Sequence, residues 1–190
     1  MKLLYCIRHG YSLHNDLFKN IGEKAFRLPE CIDSYLLKKG IQDAVNLNLN
    51  ETDKLNSVEL VLVSPLTRAL QTTELGFTGL IKPIKVMEIL KEWSNGLDTP
   101  NQRKKKSELE RRFNRFNFDE VRTEEDVTWN KEREETMDEL RERIEEFKKY
   151  VRNRKEEKIC IIGHTSFLSN MMWGEEREMK HCHIYEMVLD

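Results

Sequence analysis

The chain has 190 residues, 38% of them hydrophobic and 35% charged, and its 32 Lys and Arg against 34 Asp and Glu leave a formal net charge of −2. This length suits one domain with its own core, so we expect residues 1–190 to form a single domain. Because the charge is nearly balanced and no apolar run reaches about 18 residues, neither a nucleic-acid partner nor a membrane span is expected.

Three short apolar runs are predicted to be buried strands. They cover residues 2–7, 58–63 and 159–162, and each is unbroken rather than alternating in polarity. Unbroken aliphatic runs are typical of strands that are buried on both faces, as in parallel sheets. Residues 82–87 and 184–189 are weaker strand candidates, and the second is expected at a sheet edge.

Helical patterns separate these strands. One begins near Lys38, another near Leu66, and the clearest lies between Asn130 and Glu157, where apolar residues recur at steps of three and four. Alternation of strands and helices predicts an α/β protein, a three-layer α/β/α sandwich around a mostly parallel, doubly wound sheet.

The stretch from residue 94 to 128 is polar, long and weakly periodic. It contains Pro100 and the basic run Arg103–Lys106. We interpret it as an insertion over the active-site face of the sheet rather than as core, anchored by its phenylalanines. The basic run is interpreted as a solvated loop, and binding of a second phosphate or another polyanion is the alternative.

The sequence has four cysteines, Cys6, Cys31, Cys160 and Cys182. They lack the paired spacing of a metal site, and free thiols fit a reducing setting, so a cytoplasmic location is expected. Alternation along a strand would place His181 and His183 on one face and Cys182 on the other. That arrangement is a poor tetrahedral cage, so no metal site is predicted.

The three strong strands all end next to polar residues that are suited to bind the same ligand. The first runs into Arg8 and His9, the second into a segment ending at Arg68, and the third into His164 and Thr165. In an open parallel sheet the carboxyl ends of the strands share one edge, where ligands bind. We therefore expect these side chains to converge.

Two arginines and two histidines at one point suit a tetrahedral oxyanion. Arginine binds such anions through paired, charge-assisted hydrogen bonds, and helices that start after the strands add backbone N–H groups. A neutral imidazole is a competent nucleophile towards phosphorus, and phosphoryl transfer needs mainly positioning and charge neutralisation. Glu92 follows a predicted strand end and is the candidate general acid and base, with Glu88 as its rival.

These residues resemble the histidine phosphatase superfamily, in its phosphoglycerate mutase-like branch. The similar motifs are Arg8-His9-Gly10 with Ser12 and Asn15, then Asp33, Leu36, Gly40 and Ala44, then Ser64 to Ala69 with Gln71 and Thr72, then Glu92, and finally Gly163-His164. Five elements in the family's order cover nearly the whole chain.

The resemblance implies a role for each matching residue. His9 would be phosphorylated, Arg8, Arg68 and His164 would hold the phosphoryl oxygens, and Asn15 would lie beside them. Glu92 would be the acid and base, and no cofactor is implied. Thr165 stands where the family commonly has glycine and would narrow the phosphate pocket that it lines.

Other departures bear on the reaction. Tyr11 and His14 stand where mutases tend to carry acidic and tryptophan residues. The chain is short for a mutase, and Gly96-Leu97-Asp98-Thr99 resembles the fungal and plant phosphatase-like members.

We therefore expect a metal-independent phosphomonoester hydrolase that acts through a phosphohistidine on His9. Its partner would be a phosphorylated small molecule, with a phosphoprotein as the alternative. A phosphoglycerate mutase-type isomerase is the second hypothesis, and an inactive phospho-ligand-binding protein is the third. The identity of the substrate and the oligomeric state stay open at this point.

Overall fold

A six-stranded sheet forms the centre of the molecule in the computed structural model, which describes residues 1–94 and 98–190. In chain order the strands are β1 (Lys2–Arg8), β2 (Leu60–Val63), β3 (Ile84–Met87), β4 (Asn117–Glu120), β5 (Lys158–Gly163) and β6 (Ile184–Leu189). Their spatial order is β4-β3-β2-β5-β1-β6, and of these six described strands only the edge strand β6 is antiparallel to its neighbour. The predicted α/β fold with a mostly parallel sheet is confirmed.

Seven α-helices connect the strands in residues 1–94 and 98–190. They are α1 (Leu13–Ile21), α2 (Lys38–Asn50), α3 (Thr52–Ser57), α4 (Thr67–Gly76), α5 (Lys106–Arg112), α6 (Met137–Arg152) and α7 (Thr165–Trp173). Short 3₁₀ turns lie at Gly22–Arg27, Pro29–Cys31, Glu88–Leu90 and Thr99–Asn101. In the described part of the chain, no helix is long and apolar enough to cross a membrane.

Hydrophobic clusters cover both faces of the sheet. Alternate residues of the central strands contribute to each, so that Ile161 packs against α6 and α7 while Ile162 packs on the side of α2 and α4. Burial of one such aliphatic side chain contributes roughly 1.5–3 kcal/mol. The unbroken apolar runs of the sequence therefore follow from strands with helices on both sides.

The charged helix α6 is defined by a capped start and by an apolar stripe along one face. Thr136 and Glu139 form a reciprocal capping box at its start, which satisfies two backbone N–H groups that would otherwise lack partners. Every third or fourth residue is buried against the sheet, namely Leu140, Ile144, Phe147 and Val151. The predicted apolar stripe is thus present.

The region 94–128 differs in part from the expected insertion. Asp98–Asn101 lies beside the cavity described below, but α5 and β4 belong to the main body of the domain. Five of its apolar side chains are buried in the core on one face of the sheet: Leu109, Phe113, Phe116, Phe118 and Val121. Because β4 is an edge strand that buries only Phe118, its sequence lacks the apolar run of a central strand.

Candidate active site

The carboxyl ends of β1, β2 and β5 open onto a cavity of about 620 Å³. Six of the seven predicted site residues line it, namely Arg8, His9, Asn15, Arg68, Glu92 and Thr165. The seventh, His164, is fully buried, with its ring centroid 5.1 Å from that of His9. The structure therefore brings together residues from five separate parts of the sequence.

His9 follows β1, and its ring is held in one orientation. Its Nδ1 lies 2.8 Å from the Gly10 carbonyl oxygen, which can only accept, so Nδ1 carries the proton and Nε2 carries a lone pair. Arg68 Nε donates to that Nε2 at 3.2 Å. Burial, followed by the charge of Arg68, lowers the pKa of His9 well below its usual value, so the imidazole is neutral at pH 7.

Two glycines allow the loop after β1 to pack tightly against the start of α2. A Cβ on Gly10 would lie 2.7 Å from the Gly40 carbonyl oxygen, and a Cβ on Gly40 would overlap the backbone of Tyr11. The close approach of the two backbones fixes the peptide whose carbonyl orients His9.

Arg68 lies in the first turn of α4 and is 1% exposed. Besides His9, its guanidinium donates to the Pro100 carbonyl oxygen at 2.6 Å and to Asn101 Oδ1 at 2.9 Å. In the described part of the chain all three acceptors are neutral groups. Burial lowers the pKa of Arg68 to about 10, so it still carries a positive charge at neutral pH.

Three buried polar atoms around His9 have no hydrogen-bond partner among the described residues. They are Arg8 Nε, His164 Nδ1 and Thr165 Oγ1, and only two other such atoms occur in the same part of the chain. On its other side His164 Nε2 lies 2.7 Å from Ser64 Oγ, and an Arg8 terminal nitrogen donates to the Met179 carbonyl oxygen at 2.8 Å. Unpaired buried donors cost about 1–3 kcal/mol each, so this cluster indicates a site for an oxygen-rich ligand.

Glu92 lines the cavity next to the His9 cluster, whereas Glu88 is not among the residues that line it. The Glu92 carboxylate accepts from the backbone N–H groups of Trp93 at 2.9 Å and of Ser166 and Phe167 at 3.1 Å. Burial raises the pKa of Glu92, and these three hydrogen bonds lower it by less.

The expectation that the helices after the strong strands offer free N–H groups to the anion fails for amides at the start of two of them, α4 and α7. At α7 the first amides donate to Glu92. At α4 Asp33 accepts from Thr67 N and from Thr67 Oγ1, each at 2.6 Å. Side-chain carboxylates have taken the place that a bound anion would occupy.

Asn15 and His14 form a closed set of hydrogen bonds with Ser12. Ser12 Oγ donates to Asn15 Oδ1 at 2.7 Å and lies 2.9 Å from His14 Nδ1, and Asn15 Nδ2 donates to His14 Nε2 at 3.1 Å. Both residues line the cavity. The sequence identified Asn15 as a site residue, but it marked His14 only as a departure from mutases.

His181 is a cavity residue that the sequence analysis did not place there. Its Nδ1 lies 2.6 Å from the His9 carbonyl oxygen, and its ring is 5.6 Å from that of His9. The expected alternation fails because Cys182 has a positive φ of 51°, and His183 packs against Tyr185 instead. Because β6 is antiparallel to β1, it begins at the carboxyl end of β1, which brings His181 to the cavity.

The basic run Arg103–Lys106 lies away from the cavity lining. Arg103 is buried and binds Glu88, so the interpretation as a solvated loop is wrong for this residue. The three lysines are each paired with a nearby carboxylate, Lys104 with Glu108, Lys105 with Glu125 and Lys106 with Glu110.

Across residues 1–94 and 98–190, no group of three or more His, Cys, Asp or Glu side chains is arranged to hold a metal ion.

The sheet, with two histidines and two arginines at its carboxyl edge, defines an α/β protein with a cavity whose charge suits an oxyanion. The sequence pattern that defines the histidine phosphatase superfamily (branch 1) matches residues 4–181, and the chain belongs to this superfamily. Of the fragment that resembled fungal and plant members, Gly96 and Leu97 lie outside the described residues.

Known proteins agree with this assignment. A phosphoglycerate mutase-like protein of Arabidopsis thaliana is 27% identical over 90% of this chain and 73% of its own length. The solved structure of YhfR from Bacillus stearothermophilus matches with a TM-score of 0.68 at 20% identity, over 100% of this chain and 92% of that one. The alpha-ribazole phosphatase of Shigella flexneri matches with a TM-score of 0.61 at 20% identity, over 98% and 95% of the two chains. At these identities the structural matches establish the fold.

Proposed function

We propose that the protein is a phosphomonoester hydrolase that works through a phosphohistidine on His9, without a metal ion. The observation that carries the proposal is the state of the His9 ring. Its Nδ1 proton is directed to the Gly10 carbonyl, and its Nε2 lone pair faces the guanidinium of Arg68. A neutral imidazole held in this way can attack a phosphoryl group that the neighbouring cation binds.

In the first step His9 Nε2 forms a bond to phosphorus while the ester oxygen leaves. Arg8, Arg68, His164 and Thr165 donate to the phosphoryl oxygens, which uses the three polar atoms that lack protein partners. His164 Nε2 lies 2.7 Å from Ser64 Oγ, and in the proposed tautomer Ser64 Oγ donates to it, so that Nδ1 carries the proton of that ring. Glu92, protonated, gives its proton to the leaving oxygen, and the alcohol departs.

In the second step water attacks phosphorus and the bond to Nε2 breaks. Glu92, now a carboxylate, takes a proton from the water, so that phosphate leaves and both groups return to their starting states. Burial raises the pKa of Glu92, and this suits both steps. A larger share of the carboxyl group is protonated before the first step, and its anion is a stronger base in the second.

Hydrolysis is favoured over isomerisation by the position of the basic run. A mutase must hold a second phosphate, but Lys104, Lys105 and Lys106 are paired with carboxylates and Arg103 is buried away from the cavity. Alpha-ribazole phosphatase is among the proteins that share the fold, which supports the same choice. The Arabidopsis thaliana relative bears the name phosphoglycerate mutase-like, so isomerisation is the alternative that the experiment must distinguish.

The test is turnover of an aryl phosphate by the purified protein in the presence of a chelator. We expect phosphate release without added metal, an acid-labile phosphoryl group on the protein during turnover, and loss of both in His9→Ala. Isomerisation of a phosphoglycerate that depends on added bisphosphate would establish the mutase instead. Phosphate binding without any phosphorylated protein would indicate the inactive ligand-binding alternative.

A further inference from the structure

The cavity is larger than a phosphoryl group needs. Its volume of about 620 Å³ falls within the range of roughly 300–1,000 Å³ that is typical of sites for whole small molecules. The residues around His9 occupy its inner end, so the remaining lining contacts the leaving group of the ester. The chemistry of that lining indicates which leaving group fits.

One side of the cavity is an aromatic wall made of His14, Phe18 and Phe26. The ring of His14 is 5.8 Å from that of His9, and the ring of Phe26 is 6.1 Å from that of His14. Phe18 stacks on Phe26 at 5.1 Å with an interplanar angle of 10°. Rings in contact therefore lead from the nucleophile towards the rim.

The outer end of the aromatic wall is exposed. Phe18 is 45% exposed and lines the cavity, whereas Ile21, three residues later on α1, is 44% exposed and is not part of the lining. Exposed apolar surface in a concave site next to polar groups is typical of ligand contact.

The charges at the rim do not suit a second anionic group. The described cations there are Lys19, whose ammonium lies 4.8 Å from the centre of the Tyr11 ring, and Arg177, which is paired with Glu175 at 2.6 Å. Three carboxylates line the same region, Asp98, Glu176 and Glu178. A leaving group with its own phosphate would meet more negative than positive charge.

We propose, resting on the hydrolase function above, that the preferred substrates are monoesters whose leaving group carries an aromatic ring, which stacks on the aromatic wall. A ring attached to the ester oxygen lies next to His14 when phosphorus is at His9, and a second fused ring reaches Phe26 and Phe18. Flat uncharged leaving groups gain this contact, whereas small polar alcohols and bisphosphates do not.

The experiment compares kcat/KM for 1-naphthyl phosphate and for glycerol 1-phosphate in the wild type, Phe18→Ala, Phe26→Ala and the matched control Ile21→Ala. The two esters differ in intrinsic reactivity, but that difference cancels when the ratio of their kcat/KM values is compared between variants. We expect Phe18→Ala and Phe26→Ala each to lower the ratio about tenfold, the loss that stacking of one ring predicts, and Ile21→Ala to leave it unchanged.

Binding of 1-naphthylmethylphosphonate and methylphosphonate, measured by calorimetry, separates this inference from the hydrolase proposal. An inert wild-type protein that still binds 1-naphthylmethylphosphonate more tightly, with the preference lost in Phe18→Ala, would contradict the hydrolase and keep the aromatic site. An active enzyme whose substrate ratio is the same in the wild type and both phenylalanine variants would overturn the inference. Equal affinity of the wild type for the two phosphonates would also overturn it.

Discussion

Two arginines are buried in the part of the chain that the structure describes, and they have different surroundings. Arg68 is 1% exposed and Arg103 is 3% exposed. Arg68 lines the cavity beside His9, whereas Arg103 lies in the segment that leads into α5 and is not part of the lining. Burial of a charge is costly for both, so the way each is compensated shows what it does.

Arg103 is neutralised by a carboxylate and by backbone carbonyls. Its Nε donates to both Glu88 oxygens, at 2.9 and 3.0 Å. Its terminal nitrogens donate to the carbonyl oxygens of Lys104, Thr123, Glu124 and Glu125. With its donors used and its charge paired, Arg103 joins the chain before α5 to the loop after β4.

Arg68 has neutral partners instead, and the loss of solvation lowers its pKa to about 10. Its positive charge is therefore available to an anion that enters the cavity. A buried arginine bound to a carboxylate thus holds the fold together, while one surrounded by neutral acceptors at a cavity suits a binding site.

The largest expected effect is the loss of activity in Arg68→Met. This change removes the cation next to the His9 nucleophile, so we expect kcat/KM for aryl phosphates to fall about a thousandfold. The free energy of unfolding should change by no more than about 1 kcal/mol, because removal of an unpaired buried charge offsets the loss of the hydrogen bonds that Arg68 donates. Steady-state kinetics and urea unfolding measure the two quantities.

Arg103→Met should show the opposite pattern. It leaves Glu88 partly buried and unpaired, so we expect the free energy of unfolding to fall by about 3 kcal/mol. The kcat of the folded fraction should stay within about threefold of the wild type, because Arg103 does not reach the cavity. The double variant Arg103→Met with Glu88→Met should recover much of the lost stability. A kcat that falls by much more than threefold, with an unchanged free energy of unfolding, would contradict the structural role of Arg103.

The sequence predicted the inner part of the site because topology determines it. Arg8 ends a strand with an easily recognised apolar run, His9 and His164 directly follow such strands, and Arg68 lies in the first turn of the helix after β2. Parallel strands bring such positions to one edge wherever the strands occur in the sequence. No knowledge of side-chain packing was needed for these four residues.

The residues that were missed depend on packing and on irregular backbone. His181 reaches the cavity through a turn at Cys182, whose positive φ no local pattern indicates. Arg103 lies in a run of four basic residues, and burial distinguishes it from the three lysines. Similarly, β4 is a polar edge strand that long-range pairing with β3 defines.

A smaller effect tests Glu92 against Glu88, the carboxylate that binds Arg103. Glu92→Gln removes the proposed proton donor, so we expect kcat for an alkyl phosphate to fall about a hundredfold. A p-nitrophenyl ester should lose much less, because its leaving oxygen needs little protonation. Glu88→Gln should lower stability but not change the dependence of kcat on the leaving group. The same leaving-group dependence in Glu92→Gln as in the wild type would exclude Glu92 as the acid.

The smallest effect is a difference in the pH dependence of stability. Burial, and then Arg68, lower the pKa values of His9 and His164. Below pH 6.5 the unfolded chain therefore binds protons that the folded chain does not, and stability is lost as the pH falls. In Arg68→Met these pKa values rise towards 6.5, and those of Asp33 and Glu92, which Arg68 lowers, also rise.

Both changes let the folded chain bind more protons, so the variant should lose less stability on acidification. Between pH 7 and pH 5.5 we expect Arg68→Met to lose about 0.5 kcal/mol less than the wild type in urea unfolding. Arg103→Met should lose the same amount as the wild type, because Arg103 is not among the main charges that act on either imidazole. Equal pH dependence in all three proteins would show that the charge of Arg68 does not reach the histidines.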